Sequence, residues 1–73
     1  MNKETIYIDT PYITLGQLLK VANVFDTGGM IKHYLQDHGA LVNDEKEHRR
    51  GRKLYEGDVV VVEGMQLVVE RRQ

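Results

Sequence analysis

The apolar positions of the chain change period twice. Thr5-Ile6-Tyr7-Ile8 is a short β-type run, closed by Asp9-Thr10-Pro11, whose proline disfavours helix at Thr10. The spacing then turns helical. Leu15, Leu18, Leu19 and Ala22 fall at i, i+3, i+4 and i+7, one face of a helix, with Lys20 off the stripe. Thr14 stands at the N-cap, Gln17 completes a capping box three residues on, and Ile13 and Leu18 are placed as a hydrophobic staple. Asn23-Val24-Phe25-Asp26 breaks the pattern and turns the chain. A second helix is expected from Thr27 to about His38-Gly39, where glycine can take the left-handed conformation of a helix end. Its apolar stripe is Met30, Ile31, Tyr34 and Leu35; Lys32, His33 and Gln36 lie off it.

After Gly39 the period is that of strands. Leu41-Val42 begins one, Asn43-Asp44 supplies turn chemistry, and a basic segment follows. Glu56-Gly57-Asp58 marks another turn before the β-branched run Val59–Val62, and Gly64 reverses the chain into Leu67-Val68-Val69. No repeat or linker interrupts residues 1–73, so one domain is expected. Its class is α+β, a two-helix unit packed on a small, mainly antiparallel sheet.

Composition narrows the function. With 73 residues and no cysteine, neither a disulfide nor a Cys-based zinc site supplements the core. No apolar run approaches the roughly 20 residues of a membrane span. The polar start Met1–Glu4 has no signal-peptide character, so a soluble cytoplasmic domain with no membrane partner is expected.

The formal net charge of −1 would count against nucleic acid as a partner. It is a sum over two unlike parts. Residues 46–53 read Lys-Glu-His-Arg-Arg-Gly-Arg-Lys and carry +4, leaving −5 on the rest of the chain. Screening at physiological salt acts over about 8 Å, so a phosphate responds to the local cluster more than to the total. The segment reads either as a solvated hairpin or as a basic binding face.

No converging acid, base and nucleophile is visible. His33 and His38 point to different helix faces, His48 lies in the basic run, and Asp58 reads as a turn residue. No enzyme, cofactor or metal site is expected. Gly28-Gly29, in the first turn of the second helix, is costly at up to about 1 kcal/mol per glycine against alanine. Either the first helix packs too closely there for a Cβ, or something binds against that backbone. In the second case the unpaired N–H groups of the turn form an anion site, with Lys32 one turn on.

Taken in order, Ile13-Thr14-Leu15-Gly16-Gln17, Gly28-Gly29-Met30, Leu41-Val42-Asn43 and Arg49-Arg50-Gly51-Arg52-Lys53-Leu54 resemble the S4 RNA-binding domain, over about Thr14 to Val62. The small stand-alone bacterial members are the most similar. That resemblance implies the αL motif, in which two helices and a hairpin present a surface to structured RNA, ribosomal or transfer RNA among the candidates. Where larger S4 proteins commonly carry arginine at the helix starts, this chain has Thr14 and Gly28-Gly29. The expected RNA-binding residues are therefore Lys20, Gly28, Gly29, Lys32, Asn43, Arg49, Arg50, Arg52 and Lys53. With only Tyr55 near the arginines, and that residue a candidate for the core, a stacking platform is not expected. The alternative is a protein-interaction module whose basic face docks on an acidic protein or ribosomal surface, which makes ribosomal particles a second candidate partner.

Overall fold

A computed structural model describes residues 2–72. In chain order the elements are β1 (Asn2–Ile8), β2 (Ile13–Thr14), α1 (Leu15–Val21), α2 (Gly28–Asp37), β3 (Ala40–Val42), β4 (Glu45–Glu47), β5 (Lys53–Leu54), β6 (Val59–Val62) and β7 (Met65–Arg71).

Local chemistry starts and stops the helices as their residues require. Thr14 Oγ1 accepts from the Gln17 N–H at 3.3 Å, and the Gln17 carbonyl Oε1 accepts from the Thr14 N–H at 3.1 Å. This reciprocal pair satisfies two donors at the first turn of α1. Thr27 caps α2 through Met30 N–H at 3.2 Å, and Gly39 follows its end at φ 75°. Leu15, Leu18 and Leu19 are fully buried, as are Leu35 and, nearly so, Ile31 of α2. Burying each such side chain contributes about 1.5–3 kcal/mol relative to leaving it exposed. Met30 departs from the expected stripe and is 47% exposed, although its neighbour Ile31 is buried.

The main sheet has the order β1-β7-β6-β3-β4, and β2 pairs with β5 in a second, two-stranded sheet. Three of its four pairings are antiparallel, whereas β1 runs parallel to β7 over the full length Asn2–Ile8. The strand begins earlier than the apolar run at Thr5 because β7 supplies backbone partners from Met65 onward. Ile6, Val69, Leu67, Val60, Val42 and Ala40 line the inner face of the sheet and join the helical leucines in one core cluster. The β2–β5 pair closes the core with Ile13 opposite Leu54. The stretch expected as one basic segment is therefore divided between two strands of different sheets, with a loop between them.

Candidate nucleic-acid interface

Asn43 and Asp44 have φ of 51° and 70°. Two successive left-handed residues make the tight turn that matches strand twist, and they set Ala40 opposite Glu47. Glu47 therefore ends on the inner face of an edge strand, 7% exposed. A carboxylate withdrawn from water needs donors, and here it has five. Its Oε2 accepts from the N–H groups of His48 at 3.0 Å and Arg49 at 3.1 Å, and from Arg49 Nε at 3.1 Å. Its Oε1 accepts from Arg49 Nη2 at 3.0 Å and Arg52 Nη1 at 2.9 Å. The Arg49 side chain above all, with Arg52 and the Arg49 N–H, lowers the Glu47 pKa from 4.5 to about 2 against the opposing effect of burial.

This clasp shapes residues 48–52 into a loop that docks on the start of α1. Leu15 N–H donates to the Arg52 carbonyl at 2.8 Å and Gly16 N–H to the Arg50 carbonyl at 2.9 Å. A Cβ on Gly16 would stand 3.4 Å from the Arg50 Cβ, in van der Waals contact, so the loop lies directly against the start of α1. The first-turn donors of α1 are thereby used up. Those of α2 differ: Met30 N–H is taken by Thr27, and among the described residues no acceptor faces the N–H groups of Gly28 and Gly29.

Between the helices and the loop lies an open groove of about 400 Å³, lined by Lys20 of α1, Gly28 and Ile31 of α2, and Arg50 and Gly51 of the loop, together with Thr14, Gly16 and Gln17. Lys20, Gly28 and Arg50, far apart in sequence, thus share one concavity. Among the described residues the Arg50 guanidinium makes no hydrogen bond or ion pair. A Cβ on Gly28 would meet nothing within 4 Å, and one on Gly29 only Thr27 Oγ1 at 3.7 Å. Close packing against α1 is therefore not what these glycines serve.

The other expected residues fall elsewhere. Gly29 and Lys32 are exposed on α2, Lys32 one turn beyond Gly28 and outside the groove lining. Asn43 uses its side chain within the fold: Nδ2 donates to Asp58 Oδ1 at 3.1 Å, and Oδ1 accepts from the Val59 N–H at 3.0 Å. Asp58 is the turn residue expected, its second oxygen accepting from the Tyr55 N–H at 2.7 Å. Arg49 and Arg52 are tied to Glu47, although the Arg49 side chain is 75% exposed and still presents its charge. Lys46 Nζ donates to the His38 carbonyl at 3.0 Å, closing the end of α2. Lys53 sits with its Nζ 4.9 Å over the Tyr12 ring.

Sequence reasoning passed over Glu47, the residue that arranges the others, and Gly16 and Gln17 in the groove lining. A signal for Glu47 existed. Counting back from a two-residue turn at Asn43-Asp44 pairs it with Ala40, on the side of the core.

The S4 domain model matches residues 6–70. The chain is also 63% identical over 59 residues to a protein of Bacillus subtilis (strain 168) called probable ribosome maturation protein RlbA, covering 81% of this chain and 83% of that one. No solved structure matches. The matched region takes in both helices, the Glu47 clasp and the loop that carries Arg50, and on this ground the chain belongs to the S4 domain family.

Proposed function

We propose that the protein is a non-enzymatic RNA-binding module that recognises structured RNA, ribosomal or transfer RNA, through the groove between α1, α2 and the 48–52 loop. The observation that carries this reading is the meeting of Lys20, Gly28 and Arg50 in one concavity, with the Arg50 guanidinium unpaired among the described residues. Arginine and lysine pair with phosphate oxygens, and exposed helix N–H groups donate to another. Lys32 and Arg49, both exposed, add positive charge outside the groove lining. Arg52 and Asn43 act by holding the surface in shape. A preformed basic groove suits folded RNA, which is read largely by backbone and shape. The name of the Bacillus relative, a ribosome maturation protein, supports a ribosomal context in the cytoplasm.

Fluorescence anisotropy with a labelled ribosomal RNA stem-loop tests the reading. Micromolar binding is expected, with a salt slope of about −2 to −3 for some three neutralised phosphates. Arg50→Ala with Lys20→Ala should lower affinity at least tenfold while the far-UV circular dichroism melt stays in place. Unchanged affinity in that folded double variant refutes the groove as the RNA site. Binding to intact ribosomal particles but to no isolated RNA, even at low salt, points instead to docking on a protein surface.

A further inference from the structure

Tyr55 is not in the core. The β2–β5 register sets Ile13 opposite Leu54, both buried, so alternation turns the next positions, Tyr12 and Tyr55, outward on the same side. Tyr12 is 39% and Tyr55 51% exposed, and their ring centroids lie 6.0 Å apart at an interplanar angle of 52°. Lys53 Nζ stands 4.9 Å over the Tyr12 ring. Two exposed rings and a cation are thus held together by a two-residue strand pair.

Their position relates them to the groove. Thr14, paired with Lys53 across β2–β5, and Gln17 line the groove on one side and, on the other, a second concavity that contains Tyr12. The capping box of α1 thus borders both the cationic groove and the concavity that holds Tyr12.

We propose that Tyr12 and Tyr55, with Lys53, stack an unpaired nucleobase of an RNA whose neighbouring phosphates occupy the groove. The substrate class is then a paired RNA with a single-stranded end or bulge rather than a continuous duplex. Every base has a π face, so this aromatic ledge reads the presence of an unpaired base rather than its identity. Lys53 supplies the charge for the phosphate linking base and stem, which an apolar protein partner would leave unanswered. This inference rests on the RNA-binding reading above.

The test uses RNA hairpins with 2-aminopurine unpaired at the 5′ end, at the 3′ end or in a bulge, each matched by a hairpin with an abasic nucleotide at that place. In at least one pair the 73-residue protein should bind the base-bearing RNA about tenfold more tightly, within the range found for base–aromatic stacking. The 2-aminopurine fluorescence should be quenched on binding. Tyr12→Ala with Tyr55→Ala should abolish that preference and the quenching. Tyr12→Leu with Tyr55→Leu, which keeps the apolar cover of β2–β5, should do the same with an unshifted melt. Equal affinity within all three pairs and no quenching, in the wild-type protein, overturns the ledge while leaving the groove intact. Binding to none of the six hairpins overturns the RNA-binding reading and the ledge with it.

Discussion

Arg52 Nη1 lies 2.9 Å from Glu47 Oε1, closing a loop whose outward residue is Arg50. The ion pair matters less for its own energy than for what it arranges. With Arg49 and Arg52 turned back onto one carboxylate, the carbonyls of Arg50 and Arg52 reach the first turn of α1, and the intervening guanidinium is left facing the groove.

Glu47→Gln keeps the side-chain volume and removes the charge that five donors address. Hydrogen bonds to a charged group contribute more than neutral ones. A loss of about 1–2 kcal/mol in urea unfolding is expected. Arg49→Ala or Arg52→Ala should shift the urea midpoint in the same direction, whereas Arg50→Ala should not move it. Equal shifts from all three arginines would contradict the division of labour within the loop.

The same carboxylate gives stability an acid limit. Its folded-state pKa of about 2 lies below the ordinary 4.5, so the folded protein releases this proton more readily than the unfolded chain. The resulting stabilisation is fully present above about pH 4.5 and is lost as the pH falls toward about 2. Urea midpoints measured across that interval should decline more steeply for the wild-type protein than for Glu47→Gln, which has no proton to bind there.

Gly28→Ala and Gly29→Ala separate stability from binding. With open space at both Cβ positions and neither glycine at positive φ, each substitution should stabilise the protein by about 0.5–1 kcal/mol, through helix propensity and a less flexible unfolded chain. The added methyl at position 28 stands in the groove, so Gly28→Ala should also weaken binding of the stem-loop RNA. A thermal melt and an anisotropy titration on the same sample read both effects. Destabilisation would restore a packing role for the pair.

Asn43 joins the β3–β4 turn to the start of β6 through Asp58 and Val59, at a φ of 51° that asparagine tolerates better than most residues. Asn43→Ala should lower stability by about 2 kcal/mol, from two lost hydrogen bonds and the strained backbone. Asn43→Asp should be worse at neutral pH, since it faces the Asp58 carboxylate with a second one. Raising the salt concentration should recover part of that difference in the thermal midpoint.

Both helices, their caps and their leucine faces were legible in the sequence because each depends on neighbours within four residues. Thr14 with Gln17, and Thr27 ahead of Gly28, are local devices, and the structure uses them as their spacing requires. The β6–β7 hairpin was legible for the same reason: Glu63 and Gly64 form its turn at φ 51° and 73°. The β1–β7 pair was not. It joins the two ends of the described chain in parallel, and no short-range pattern records which distant strand a β-type run will meet.

The candidate site divides along the same line. That the charge is segregated, and that residues 46–53 hold its positive part, was determined by the sequence alone. Which of those charges remain available to a ligand was decided only in three dimensions. The turn register carried Glu47 inward, and the low polarity there obliged it to gather Arg49 and Arg52, while β5 pairing placed Lys53 on an exposed tyrosine. A sequence states how many charges a segment has. Burial of one carboxylate determines where the others point.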